Sequence, residues 1–157
     1  MDDPIGTSQQ SVTNGRLTLK KPHLEFLGNP SEVILTYGPG RAILILAKPK
    51  WLEFKSRILG EEGSGLLSED QMLVERRLVS NAALCEIDEQ SRLRVPATHL
   101  RRGKLEEKSS KAQLVPSPHS GWIELWNAEE YDRVMDEEDA EYRAAFSRAA
   151  QQVKREQ

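Results

Sequence analysis

Only one cysteine, Cys85, is present, so no disulfide can form within the chain and a reducing compartment is its natural setting. The three histidines, His23, His99 and His119, are scattered, and with a single thiol they match no zinc site of known spacing. No serine sits in a nucleophile elbow, and no glycine-rich loop follows a strand to cradle a phosphate. Acidic runs such as Glu137-Glu138-Asp139 have the pattern of a solvated helix face rather than of an acid/base pair. No apolar run approaches the roughly 20 residues of a membrane span. Met1-Asp2-Asp3-Pro4 lacks the basic and apolar regions of a signal peptide. These absences argue against an enzyme, a cofactor, a metal and a membrane or secreted protein, and a cytoplasmic chain is expected.

Charge is also nearly absent as a net quantity. The 22 Lys+Arg against 25 Asp+Glu leave −3, so any contact with nucleic acid must come from a local patch. The acid is concentrated in residues 127–157, and the remainder is close to neutral, with basic clusters at Lys20-Lys21, Arg76-Arg77, Arg92-Leu93-Arg94 and Arg101-Arg102. With 38% apolar residues over 157, the chain is long enough for one core or for two small repeats sharing one.

Residues 1–9 are polar and rich in turn formers, which predicts a flexible arm. Asn14-Gly15 is the strongest short hairpin signal, because both residues tolerate positive φ. Val33 to Tyr37 and Ala42 to Leu46 flank a Gly38-Pro39-Gly40 breaker and read as a hairpin buried on both faces. Pro49 opens a helix bearing Trp51, Phe54, Ile58 and Leu59, which Gly60 stops. Ser68 and Gln71 form a capping box ahead of a second helix that includes Arg76 and Arg77. Asn127 with Glu130 caps a C-terminal helical stretch, one long helix or two in series, with Tyr131, Met135, Tyr142, Phe146 and Val153 along one stripe.

The most informative feature is that the pattern occurs twice. Val12 to Leu19 matches Asp88 to Val95 at an offset of 76 residues, and Ile43 to Trp51 matches Ile123 to Tyr131 at an offset of 80, so the second repeat has an insertion. Each repeat reads as turn and strand, proline-led turn or helix, strand pair, then helix. Domains are expected at 10–60 and 81–135, joined by a linker and helix over 61–80 and followed by a helical tail over 136–157.

These pieces carry a resemblance. A turn of the form Asp-x-x-x-Arg followed by Leu and Pro, a paired Arg76-Arg77 helix, a second such turn at Asp88 to Arg92 with Val95-Pro96, and a closing Glu124-Leu125-Trp126 form the layout of the MraZ family. The resemblance covers roughly residues 10–135. The first repeat departs from it with Val12 at the Asp position and Lys20 at the Pro position, and the second with Ser91 at the turn glycine.

The resemblance implies an α+β, β-rich fold made of two tandem AbrB-like units (SpoVT-AbrB type), each a swapped hairpin of a double-split β-barrel, with peripheral helices and a C-terminal helix. It implies a homo-oligomeric, ring-forming, nucleoid-associated transcriptional regulator that binds tandem short DNA sites at the division and cell-wall gene cluster, its own promoter included. The implied DNA-binding residues are the motif arginines Arg16 and Arg92 with Arg94, Asn14 and Lys20, while Gly15 and Asp88 shape the turns. No cofactor, metal or small-molecule substrate is implied. Two other readings stay open: an oligomeric scaffold that has lost specific DNA binding, and an AbrB-like antitoxin, disfavoured because such chains usually carry one unit and a toxin-binding tail. Asp88 and Arg92 could equally form an ion pair that only fixes the turn. The three tryptophans fit a core or a subunit interface better than base stacking.

Overall fold

The computed structural model describes residues 6–63 and 65–156. Among them, eight strands form one antiparallel sheet that curls almost into a barrel. In chain order they are β1 (Ser8–Thr13), β2 (Arg16–Thr18), β3 (Glu32–Tyr37), β4 (Ile43–Leu46), β5 (Ala83–Glu86), β6 (Arg92–Arg94), β7 (Ser109–Ser117) and β8 (Trp122–Asn127). They are hydrogen-bonded in the order β5-β3-β4-β8-β7-β1-β2-β6. An antiparallel bridge between Ile87 and Leu93 then ties β5 back to β6. The helices are α1 (Lys21–Phe26), α2 (Lys48–Leu59), α3 (Glu69–Val74), α4 (Ala97–Arg102), α5 (Ala128–Glu137) and α6 (Asp139–Glu156). α3 starts on the Ser68/Gln71 capping box and runs on into a π-helical segment, Glu75–Val79.

The strand order interleaves the two repeats. β1 pairs with β7 of the other repeat, and β5 correspondingly with β3. The repeats meet twice more, each time about a local two-fold. In β2 and β6, Leu17 faces Leu93, with Arg16 opposite Arg94 and Thr18 opposite Arg92. In β4 and β8, Leu44 faces Glu124, with Ile43 opposite Leu125 and Ile45 opposite Ile123. Outside the ladders, Leu19 N–H donates to Ser91 O and Val95 N–H to Gly15 O, both at 2.8 Å, so each turn carbonyl is satisfied by the other repeat.

Alternation along the strands builds the interior. Val12, Leu17, Val33, Leu35, Ile43, Ile45, Leu93, Leu114, Ile123 and Leu125 are fully buried in one cluster, with Cys85 and Val95 beside them. A second cluster lies outside the barrel, where Ile34, Leu44, Leu46, Trp51 and Leu78 come together from β3, β4, α2 and the π-helical segment. β3 and β4 are therefore buried on both faces, as their unbroken apolar runs require.

Two expectations change. The arm predicted over residues 1–9 does not include Ser8 and Gln9, which pair with Leu114 and Gln113 in the sheet; residues 1–5 lie outside the described part. The alignment of Val12 with Asp88 also fails in three dimensions. The first turn is a two-residue Asn14-Gly15 loop with φ of 51° and 75°, closed by Thr13 opposite Arg16. The second holds Glu89, Gln90 and Ser91 between Asp88 and Arg92. That additional residue shifts the facing, so buried Val12 corresponds to Ile87, and Thr13 to Asp88. Val12 is thus a core residue and not a degraded polar motif position.

Removal of the side chain at the β2/β6 axis opens a cavity in a fully packed barrel. Leu93→Ala is expected to cost about 2–5 kcal/mol in equilibrium denaturant unfolding; a loss below about 1 kcal/mol would mean the axis is not tightly packed. Gly15→Ala, with φ +75° and a Cβ 3.2 Å from Leu100 Cδ1, is expected to cost about 1–2 kcal/mol in the same measurement.

Candidate nucleic-acid interface

The junction of β2 and β6 puts the motif arginines in one place. Arg16 and Arg94 are cross-strand partners and both are exposed. No carboxylate lies within ion-pair distance of either among the described residues. Like charges directly opposite on a ladder are unfavourable for folding, so this arrangement is not explained by stability. One register line runs Ser109, Thr13, Arg16, Arg94 across β7, β1, β2 and β6. On the far side, an open groove of about 520 Å³ is bordered by Arg16, Arg92, Arg94, Glu86 and Asp88.

Arg92 differs from Arg16 in being tethered. Its Nε donates to Asp88 Oδ2 at 2.9 Å, and its backbone N–H and that of Gln90 donate to Asp88 Oδ1, each at 2.9 Å. The structural ion pair weighed from sequence is thus present, and Ser91 takes the left-handed position with φ 61°. The N–H of Arg92, joined by its guanidinium and the Gln90 N–H, holds the Asp88 carboxyl below its usual range against the opposing effect of desolvation. The first turn is fixed differently: Gly15 packs under Leu100, and Asn14 N–H donates to Lys108 O at 2.8 Å. Lys108 belongs to the loop between α4 and β7, which is held to α5 by Asn127 Nδ2 donating to Lys104 O and by Lys104 with Glu130.

Of the remaining sequence candidates, Asn14 is exposed at the hairpin tip, and exposed Lys20 precedes α1. Burial, with the Lys20 charge behind it, pushes the imidazole of His23 below its usual range. Arg76 and Arg77 are exposed on the π-helical segment, whereas Arg102 is used structurally, donating to Gly40 O and lying over the Tyr37 ring. Trp51 and Trp126 are buried, and Trp122 packs edge-on against Phe54 at 4.8 Å. Burial raises the Cys85 thiol, which removes it as a nucleophile at neutral pH. Among the described residues no group of three or more His, Cys, Asp or Glu is placed to hold a metal ion, and no helix is long and apolar enough to cross a membrane.

Sequence reading missed the polar residues beside the arginines: Ser11 and Thr13 on β1, Ser109 and Lys111 on β7, all exposed. The alternation of exposed Ser109 and Lys111 with buried Ser110 and Ala112 was the available signal.

No family model matches the chain. It is 29% identical over 141 residues to the transcriptional regulator MraZ of Alkaliphilus oremlandii, covering 88% of this chain and 90% of the relative. It is 24% identical over 150 residues to that of Desulforamulus reducens, covering 95% and 96%. It is 25% identical over 115 residues to that of Treponema denticola, covering 73% and 75%. All three relatives bear the name of a regulator and none that of an enzyme, and a β-rich α+β barrel sheet with an uncovered arginine-bearing ribbon accords with that class. These likenesses, each over most of both chains, support membership of the MraZ family.

Because the folded-state pKa of Asp88 is depressed, its ionised form stabilises the turn above the ordinary carboxylate range, and that contribution is lost as pH falls through the depressed value. Asp88→Asn is expected to lower stability at pH 7 and to flatten the acid side of the stability curve below about pH 4. Acid titrations of both proteins by circular dichroism check this; parallel curves would exclude a role for the carboxylate.

Proposed function

We propose that the chain is a sequence-specific DNA-binding transcriptional regulator, and the observation that carries this reading is the exposed Arg16/Arg94 cross-strand pair, which has no ion-pair partner among the described residues. Arginine's planar donor fork suits a phosphate or the acceptor edge of guanine, and adjacent forks of one sign call for an anionic partner. In this reading residues 10–60 and 81–135 are two diverged AbrB-like units, linked by 61–80. Arg16 and Arg94 contact DNA directly, with Asn14 and Lys20 at the flank, and Asp88 and Gly15 hold the turns in shape. Arg92 contacts DNA only with the guanidinium atoms that Asp88 leaves free. The targets are tandem short sites at the division and cell-wall gene cluster, the chain's own promoter included, and the chain works in the cytoplasm on the nucleoid.

The same reading makes the working form a homo-oligomeric ring. α6 supports it with an exposed apolar stripe of Tyr142, Phe146 and Val153 that continues Met135 of α5. An apolar groove of about 490 Å³ bordered by Tyr37, Pro39, Phe54, Leu73, Val74 and Trp122 supplies a matching surface for a second copy of the chain. Repeated weak contacts on one particle then bind tandem sites strongly through high local concentration. Light scattering is expected to give a multiple of 17.8 kDa for the native chain and a smaller mass for Phe146→Asp. A monomeric native chain would contradict the ring.

A scaffold without specific DNA binding is the competing reading, and Glu86 and Asp88 beside Arg92 and Arg94 favour it, since they offset part of the positive charge. Fluorescence anisotropy with the chain's own upstream duplex and a scrambled one separates the two. The regulator reading expects tighter binding to the upstream duplex, lost in Arg16→Ala and weakened in Arg94→Ala. Equal weak binding to both duplexes, indifferent to either substitution, would establish the scaffold.

A further inference from the structure

Resting on the DNA-binding reading, we infer that the phosphodiester backbone is held on one side of the arginine ribbon only, by a site on β1 and β7 with Lys111 as its cation. Lys111 is exposed and is the register partner of Ser11; Ser109 pairs with Thr13, and Thr13 with Arg16. Buried Val12 and Ala112 put their alternate neighbours Ser11, Thr13, Ser109 and Lys111 on the outer face. The outward positions of β1 and β7 therefore offer a cation and three hydroxyls beside Arg16, which is the donor set that holds phosphate oxygens. Lys111 lies two strand spacings and two residues from Arg16, about 12 Å.

The other side of the ribbon has the same backbone but carries carboxylates where the first side carries Lys111 and Ser11. Counting from the buried residues, Lys111 corresponds to Glu32 and Ser11 to Glu86. These two glutamates are themselves register partners between β3 and β5, and their outer-face neighbours are Ile34 and Leu84. A phosphate backbone approaching there meets two carboxylates, of which Glu86 shares its groove with Asp88 as well as with Arg92 and Arg94. The two repeats thus present inequivalent faces, and the duplex is displaced toward the first turn.

The test is a salt series of anisotropy titrations on the full chain with its upstream duplex, comparing Lys111→Ala, Glu32→Lys and, as a distant control, Lys50→Ala on α2. Circular dichroism melts first establish that each variant folds. Lys111→Ala is expected to weaken binding and to reduce the log-log salt slope by about 0.9, one phosphate contact. Glu32→Lys is expected to strengthen binding, and Lys50→Ala to leave it unchanged. If Arg16→Ala abolishes binding while Lys111→Ala behaves as Lys50→Ala, the one-sided site is overturned and the regulator stands. If the native chain does not prefer its upstream duplex, the regulator reading fails and the site with it.

Discussion

Each repeat's first strand finds its outer neighbour in the other repeat, β1 on β7 and β5 on β3, and the rest of the molecule depends on this exchange. A repeat alone would leave its first and third strands with open edges, which are costly and prone to pair with another chain. Exchanged, the eight strands close almost fully around one set of aliphatic side chains, and the two short strands that follow the turns, β2 and β6, are left facing each other at the junction. The arginine ribbon is a by-product of that closure. Its position is set by non-local hydrogen bonds, among them the matched pair from Leu19 to Ser91 and from Val95 to Gly15.

Within this frame the two halves of the chain differ in their turns more than in their core. The interior of both uses aliphatic residues at corresponding places, Leu17 with Leu93 and Ile45 with Leu125. The turns reach similar ends by different means. Asn14 and Gly15 accept positive φ directly, while the second turn is one residue longer and is braced by the Asp88 carboxylate accepting two backbone N–H groups and the Arg92 side chain. That bracing orders Arg92 and engages part of its donor capacity. Among the described residues Arg16 has no such tether, so on the proposed reading the first turn is the more competent of the two toward an anion.

Local signals made much of this legible in the sequence. The Asn-Gly turn, the hairpin around Gly38 to Gly40, the Ser68 capping box and the Asn127 cap each depend on a few neighbouring residues, and each lies where the sequence places it. The doubling of the pattern was also readable, since Leu-Thr-Leu and Leu-Arg-Val recur with a proline close behind. Cross-repeat pairing was not, because register between distant strands is decided by which side chains share the barrel interior. The single residue added to the second turn shows why. It leaves the aligned letters looking alike but reverses the facing of the strand before it, so Val12 looked like a lost aspartate when it is part of the core. Lys111 was overlooked for the same reason, since only the alternation of β7 in three dimensions brings it to the face that Arg16 occupies.

On the proposed reading DNA meets the exposed sheet face formed where β2 and β6 pair. Amide hydrogen exchange measured by mass spectrometry on the full chain, with and without its upstream duplex, tests it most directly. The expected result is added protection in the segments 8–18, 92–94 and 109–111, with β3, β4 and β8 unchanged. Protection confined to α2, α6 or the outer cluster around Trp51, with the arginine ribbon unaffected, would contradict the account.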